Sequence, residues 1–370
     1  MQFAYNDEQQ MLRDSAQRFG EDEWGAADRL RRLSDVGEGA AQRWARMAEL
    51  GWLMLPIAED EGGLGGGPIE IMAIMEAVGH HLMTDAYVTH CVLAPALMRG
   101  GGDHCTALFE QVGAGKIRIA AALIEDEGYA TASIATRAES SGDDFRLTGA
   151  KAHVEDGADA DWYLVSARTA GKAGECEGVS LFLVPGHADG LVVQRFRSVD
   201  GHRHCTLALA DVTGIPVGAI GEAAHRIDAA LDLAIVAHLA EAVGSMEAAV
   251  AATLDYVRTR QQFGAPIGSF QVVQHKIVDM SVACEEARAL TMVAASQIAS
   301  GGDAASLIAA AKVRVAQCGI AVTQQAVQLH GGVGTSEELI VSHHLRRQMM
   351  LDLAHGDRDH HKARFADLTR

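Results

Sequence analysis

The feature that constrains the fold most strongly is the order of residue patterns along the chain: first helical, then β-rich, then helical again. Apolar residues recur with a helical period from Asn6, a good N-cap residue, to about residue 117. Short β-rich runs separated by Gly and Asp follow, as is typical of a compact sandwich or barrel. Long Ala-rich helices resume near residue 223. We therefore predict an α+β fold with a helical domain at 1–117, a middle β domain at 118–222 and a C-terminal helical domain at 223–370.

Charge and composition exclude several classes of function. The chain has 31 Lys and Arg against 49 Asp and Glu, so its net charge of −18 repels phosphate backbones and nucleic acid is not an expected partner. The six cysteines show no CxxC spacing, which predicts no metal site and a reducing, cytoplasmic setting. The start lacks a signal-peptide pattern. The apolar stretch 227–253 contains several acidic residues, so we expect no membrane span.

One candidate binding segment surrounds Arg260 and Phe263. A guanidinium can clamp a pyrophosphate, and an aromatic ring can pack on an adenine or flavin ring. Gly264 and Pro266 end the preceding helix, and a helical spacing then resumes at Ile267, Phe270, Gln271 and Gln274. Taken alone, the segment is better explained by an Arg at a helix C-terminus above an ordinary core stripe.

A second segment contains Gln328, His330, Gly331 and Gly332. Two glycines after a helix allow the backbone to approach a phosphate or ribose closely, although a simple helix C-cap explains the pattern better when it is taken alone. The two segments occur in one chain, 65 residues apart counted from Phe263 to Gln328. Their conjunction is more specific than either segment.

The chain resembles the acyl-CoA dehydrogenase family over nearly its whole length. Residues 6–19 resemble that family's first helix, and 44–67 resemble its LAELG-W…P-EE-GGLG stretch. Residues 146–168 resemble its middle-domain strands, and 208–221 resemble the exit from that domain. The resemblance implies a middle β-barrel or sandwich domain, a C-terminal four-helix bundle, FAD as cofactor and an acyl-CoA thioester as substrate.

The resemblance also implies roles for both segments, which in the family contact the ADP half of an FAD held mainly by a neighbouring subunit. The residues that carry this role here are Arg260, Phe263, Ile267, Phe270, Gln271, Gln328, Gly331 and Gly332. A flavin shared between subunits implies an obligate oligomer, with four chains expected. Family members pass their electrons to an electron-transferring flavoprotein, and no metal is expected.

The catalytic carboxylate of the family is missing at both of its known positions. Where the family has a Glu before Gly-Thr, this chain has His355, and the alternative position on the first long C-terminal helix holds Ala234. His355 is a candidate base, because a neutral imidazole titrates near neutrality, or else a polar residue at a helix start. For Glu241, two turns beyond Ala234, a structural ion pair or hydrogen bond is expected.

Other departures lie in the flavin-ring and substrate half. In the segment 124–133 only Glu125 is retained, and His153 or a neighbour replaces a Trp that often stacks on the flavin. The text at 356–365, GDRDHHKARF, resembles the ends of small subunits of heteromeric acyl-CoA dehydrogenases. We therefore predict a subunit of an α2β2 enzyme whose partner supplies the Glu. Alternatives are a self-sufficient homotetramer using His355 and a non-enzymatic scaffold that has lost FAD. Steroid or bile-acid side chains and dicarboxylyl groups are both allowed as the acyl group.

Overall fold

The computed structural model describes residues 4–25, 29–34, 37–125, 128–142 and 144–370. Residues 126–127, inside the segment 124–133 discussed above, lie outside the described residues. So do the first three residues of the predicted N-terminal domain. The predicted fold class is confirmed: helices come first, a sheet occupies the middle, and helices return.

The N-terminal region is helical, as the periodicity predicts. Asn6 caps the first helix: its side chain accepts from Gln9 N at 2.8 Å, and the Gln9 side chain accepts from Asn6 N at 3.0 Å. A π-helix, Val88–Leu93, runs directly into α5. The helices are α1 (Asp7–Glu23), α2 (Arg29–Ser34), α3 (Glu38–Glu49), α4 (Pro68–His81), α5 (Ala94–Met98) and α6 (Asp103–Gly113).

The middle region forms a closed sheet. Its strands are β1 (Ile119–Ala122), β2 (Arg137–Ser141), β3 (Asp144–Val154), β4 (Trp162–Arg168), β5 (Val179–Pro185), β6 (Leu191–Arg197) and β7 (Arg203–Val217). Successive pairing of β4, β5, β7, β3 and β2 returns to β4, and this closure makes a small barrel. β1 extends the sheet beside β4, and β6 pairs with β7. Apolar side chains such as Leu147, Tyr163 and Phe182 fill its interior.

The C-terminal region contains the long helices that the Ala-rich text predicts. They are α7 (Ala224–Thr259), α8 (Gln271–Ala299), α9 (Ala305–His330), α10 (Ile340–Leu353) and α11 (Arg358–Leu368). A short hairpin of β8 (Gln261–Gln262) and β9 (Ala265–Pro266) connects α7 to α8.

The chain divides into two compact units. The helical unit comprises Met1–Val36, Gly67–Thr84 and Ile235–Arg370, and the barrel unit comprises Gly37–Gly66 and Asp85–Ala234. The three domains predicted from the sequence, with boundaries at 117/118 and 222/223, remain a prediction.

Glycines allow close packing of α4 against α7 in the helical unit. A Cβ on Gly79 would lie 1.9 Å from Glu241 O, and a Cβ on Gly244 would lie 1.8 Å from Glu76 O. The two backbones therefore approach more closely than any larger residue permits.

Among the residues that the structure describes, two helical segments, α7 and Ala305–Thr335, are long and apolar enough by length and composition to cross a membrane. The protein itself buries 83% of the apolar window of α7 and 50% of the other. Core helices meet the same criteria, so this is weak evidence for a membrane segment.

Candidate cofactor site and catalytic position

The β8–β9 hairpin presents Arg260 and Phe263 to solvent. Ile267 N donates to Arg260 O at 2.8 Å and closes the hairpin. Phe263 and Gly264 occupy the turn with φ of +53° and +82°, so both central residues are left-handed, as in a type I′ turn. A Phe pays a steric cost in that conformation, yet its side chain is 94% exposed. An exposed ring in a strained turn is a feature that function explains better than folding.

The start of α8 differs from the sequence prediction, which resumed the helix at Ile267. The structure shows a 3₁₀ turn at Ile267–Ser269, with Phe270 extended as the N-cap and α8 beginning at Gln271. Ile267 and Phe270 are half-buried, and Gln271 is exposed. The Phe270 ring meets Phe263 edge-on, with 6.2 Å between centroids.

The turn after α9 is open on its outer side. The helix ends at His330, as predicted, and Gly331 follows with φ +66°. A Cβ built on either Gly331 or Gly332 meets no heavy atom within 4 Å. Gln328, one turn earlier, is exposed. Within this chain, therefore, packing does not require glycine at position 332.

Tyr256 connects the end of α7 to this turn. Its ring stacks on His330 at 4.3 Å, and its hydroxyl donates to His330 O at 3.3 Å. Tyr256 precedes the hairpin in the chain and His330 precedes the Gly-Gly turn, so the contact between these two residues links the two segments. Tyr256 was missed by the sequence analysis, although an aromatic residue one helical turn before Arg260 is a signal that could have identified it.

These features suit the ADP half of a flavin nucleotide. The helical unit offers an exposed guanidinium at Arg260, an exposed ring at Phe263 and an unobstructed backbone at Gly331 and Gly332. A cation, an aromatic face and a backbone that no side chain covers suit a pyrophosphate joined to a ring system. The residues present therefore fit the predicted group.

His355 lies in the turn between α10 and α11. It is not a helix-start residue, because the N-cap of α11 is Asp357, whose side chain accepts from His360 N at 2.8 Å. His355 has a left-handed φ of +54°, and its ring stacks on His238 of α7 with 5.1 Å between centroids.

Two buried side chains hold the backbone around His355. His361 Nε2 donates to His355 O at 3.1 Å, and Lys312 Nζ donates to Ala354 O at 2.9 Å and to Leu351 O. Burial, reinforced by the Lys312 charge, lowers the pKa of His361 to about 3, so this imidazole is neutral. These positioning roles were missed from the sequence, where His361 stood only as part of the 356–365 text.

Neither of the other positions considered provides a free carboxylate. Ala234 is fully buried in α7. Glu241 is 1% exposed, and both of its oxygens accept from Arg347: Oε1 from Nε at 2.6 Å and Oε2 from Nη2 at 2.8 Å. The expectation of a structural ion pair at Glu241 is confirmed, and the Arg347 guanidinium occupies both carboxylate oxygens.

In the barrel unit, Glu125 has a structural partner. Its Oε1 accepts from the fully buried Lys151 Nζ at 2.6 Å, and its Oε2 accepts from Ala135 N at 2.7 Å. Burial alone raises the pKa of Glu125, but Lys151 and the backbone donors outweigh it and hold that pKa below its ordinary value. Burial, opposed by Glu125, lowers the pKa of Lys151 to about 8. The Glu125 carboxylate thereby anchors the backbone at Ala135.

At the position of the expected Trp, the barrel unit has a cluster of smaller rings. His153 lies 4.7 Å from His204 and 6.1 Å from Phe196 between ring centroids. His204 Nδ1 accepts from Asp156 N at 3.0 Å, and burial lowers the His204 pKa, which keeps that ring neutral. His153 is therefore one ring of a cluster and not an isolated replacement.

Comparison with known proteins gives the class. Three family models match: the acyl-CoA dehydrogenase N-terminal domain at residues 6–108, the middle domain at 124–212 and the C-terminal domain at 224–367. The chain belongs to the acyl-CoA dehydrogenase family. Members are FAD-dependent enzymes that act on the CH–CH group of acyl-CoA thioesters.

Individual relatives are distant but nearly full-length. The chain is 27% identical to a probable acyl-CoA dehydrogenase, YngJ, of Bacillus subtilis, over 96% of each protein. It is 27% identical to a variant of the Tcur3481–Tcur3483 steroid acyl-CoA dehydrogenase, with a TM-score of 0.87 and 98% of each chain covered. It is 25% identical to a chain of the ChsE4–ChsE5 complex of Mycobacterium tuberculosis, with a TM-score of 0.88, 100% of this chain and 99% of that chain covered.

Proposed function

We propose that this chain is one subunit of a heterotetrameric acyl-CoA dehydrogenase. In this assembly it contributes the contacts to the ADP half of FAD, and a second acyl-CoA dehydrogenase subunit supplies the catalytic Glu. The substrate is an acyl-CoA, and a bulky ring-bearing acyl group is favoured because one similar structure is described as a steroid acyl-CoA dehydrogenase. An electron-transferring flavoprotein is the proposed electron acceptor.

The observation that carries the proposal is the absence of a usable carboxylate at the catalytic positions. Position 355 holds an imidazole, position 234 a methyl group, and the carboxylate of Glu241 is bound on both oxygens by Arg347. Removal of an α-proton from a thioester needs a base held in a water-poor site, and a carboxylate there gains basicity from desolvation. A partner that carries the Glu resolves this deficiency.

Exposure of the predicted FAD residues supports the same assembly. Arg260, Phe263, Gln271 and Gln328 are exposed, as are both glycines of the turn. Side chains that grip a cofactor bound mainly by another subunit need to project from their own chain. Arg260 would donate charge-assisted hydrogen bonds to the pyrophosphate, and Phe263 would pack on a ring of the nucleotide. When bound, FAD accepts the hydride that leaves the substrate.

The decisive experiment measures flavin content and mass for the protein purified alone and after co-expression with a neighbouring dehydrogenase gene. The proposal expects FAD only in the co-expressed tetramer. A yellow homotetramer that is reduced by an acyl-CoA would refute it and establish the self-sufficient enzyme. A colourless protein in both preparations would refute it in favour of a scaffold.

Arg260→Ala tests the FAD contacts directly. Loss of one charge-assisted contact, about 1.5–3 kcal/mol, weakens FAD binding to the assembled enzyme roughly 10- to 150-fold. Arg258→Ala is the matched control, since Arg258 is also exposed and lies only 3.8 Å from the exposed Asp255. Equal flavin retention by both variants would contradict the assigned role of Arg260.

A second candidate function makes His355 the base of a self-sufficient enzyme. The observation in its favour is the fixed backbone at His355, held by His361 and Lys312 in a left-handed conformation. Under our proposal, His355→Ala retains most turnover when the partner is present. A thousandfold loss of turnover with normal flavin content would instead assign the base to His355.

A further inference from the structure

The barrel unit contains a cleft of about 330 Å³ that neither the FAD contacts nor the catalytic position involves. One wall is a single face of α7, formed by Arg226, Ala229, Ala230 and Leu233 at helical spacing. The other walls come from Pro56–Ala58 and Glu61, and from Pro95, Ala96 and Arg99 in and just after α5. The volume lies at the lower end of the range of about 300–1,000 Å³ that is typical of small-molecule sites.

The cleft combines apolar walls with two guanidinium groups. Pro56, Ile57, Pro95 and Leu233 contribute apolar surface, and Arg99 and Arg226 contribute the cations. Ligand sites in proteins commonly have this composition, an apolar enclosure with a few polar groups that fix orientation.

Arg226 is half-buried. Its Nη2 donates to Val217 O at 2.5 Å and its Nη1 to Arg99 O at 3.4 Å, and no carboxylate of the described residues lies within 4 Å of it. Burial lowers its pKa, with only the Cys105 thiol acting in the opposite direction. By contrast, the buried Arg43 of the same unit is paired with Asp85 at 3.1 Å.

The position of Arg226 on its helix makes its positive charge still less favourable. It lies in the first turn of α7, which contains no acidic residue. A cation at the positive end of a helix dipole is unfavourable, and an anion bound beside it would relieve that cost.

The carboxylate in the cleft limits the charge of the ligand. Glu61 lines the cleft, and its Oε1 accepts from Gly100 N at 2.9 Å, so this negative charge is held in place. A dianion such as phosphate would be repelled by it, whereas a single carboxylate can bind the guanidinium groups in bidentate geometry. We propose that this cleft binds a monocarboxylate with a short apolar chain, its carboxylate against Arg99 and Arg226 and its chain along Pro95 and Leu233.

The cleft is distinct from the barrel loop that follows Glu125. Asp228 lies two residues beyond Arg226, which is about 200° around the helix. Asp228 Oδ1 accepts from Thr131 Oγ1 at 2.6 Å, so that loop contacts the opposite face of α7. The proposal therefore does not depend on the role of His355 or on the source of the catalytic Glu.

The test is a ligand-observed NMR titration of the full chain, in whichever assembly it is purified, with hexanoate as the probe. Saturable hexanoate binding is expected, with at least tenfold weaker binding to Arg99→Gln and loss of binding to Ala229→Phe, which fills the cleft. Arg99 is chosen because Arg226 also holds Val217 O, and its replacement could disturb the fold. Arg197→Gln, an exposed arginine on β6, is the matched control and should bind as the unmodified chain does.

Three results would overturn the proposal. The first is no saturable hexanoate binding to the unmodified chain. The second is equal binding of 1-hexanol or inorganic phosphate, which would show that the charge or the apolar walls contribute nothing. The third is unchanged hexanoate binding to Ala229→Phe, which would place the probe elsewhere on the protein.

Discussion

Phe263→Asn should stabilise the hairpin and weaken FAD binding, an opposition of effects that a purely structural role does not produce. Phe263 has φ +53° at the first central position of the turn, where Asn is strongly preferred. A left-handed conformation costs an ordinary L-residue roughly 1–2 kcal/mol, and Asn pays less. The Phe ring is 94% exposed, so its removal sacrifices only the edge contact with Phe270, about 0.5 kcal/mol. The expected net stabilisation is about 0.5–1 kcal/mol.

The loss in FAD affinity should be larger. Stacking of a nucleotide base on an aromatic side chain is worth about 1–3 kcal/mol, so FAD should dissociate roughly 5- to 150-fold more readily. Thermal unfolding of the isolated chain measures the first effect. Flavin absorbance of the assembled enzyme after dialysis measures the second.

Gly264→Ala provides the matched comparison. Gly264 has φ +82°, so an added Cβ strains the same turn while leaving the Phe263 ring in place. It should lower thermal stability. A Phe263→Asn enzyme that retains FAD as well as the unmodified enzyme would refute the assignment of Phe263 to the cofactor. A destabilised Phe263→Asn chain would refute the account of backbone strain.

Other perturbations give equally definite expectations. Gly244→Ala should lower the free energy of unfolding by about 1–3 kcal/mol in a denaturant titration, because its Cβ would lie 1.8 Å from Glu76 O. In Gly332→Ala the added Cβ meets no atom within 4 Å, so the free energy of unfolding should not change. The FAD retained by the assembled enzyme should nevertheless fall. Burial, reinforced by Arg118, lowers the pKa of His90 to about 4, so the unfolded chain takes up a proton there that the folded chain does not. This histidine should remove on the order of 3 kcal/mol of stability between pH 6.5 and pH 4, and in His90→Gln the pH dependence of the melting temperature should be shallower.

Local sequence patterns were sufficient for the order of elements. The N-cap at Asn6 and the end of α9 at His330 depend on interactions between near neighbours in the chain. Local residue types are enough to indicate such interactions, so both positions were predicted from the sequence. The start of α8 was not, because Ile267 has helical spacing but follows Pro266 and is held by a hydrogen bond to Arg260 O.

The sequence motifs shared with the family located the candidate cofactor residues but did not reveal their structural surroundings. The sequence indicated Arg260, Phe263 and the Gly-Gly turn. Only the folded chain shows the left-handed backbone and exposed ring of Phe263. The same is true of the Tyr256–His330 contact that connects the two segments. Exposure is a property of packing, and no local pattern records it.

The sequence by itself determined the fold class, the family and the absence of a carboxylate at positions 355 and 234, since each depends on residue identity at a recognisable place. Tertiary structure decided what the remaining ionisable groups do. Glu241 is separated by 106 residues from Arg347, which binds both of its oxygens, and His361 and Lys312 hold the turn at His355 from different helices. The cleft around Arg226 likewise joins three distant segments. Partners that are far apart in the chain leave no local pattern, so only folding reveals which charges are neutralised and which remain available to a ligand.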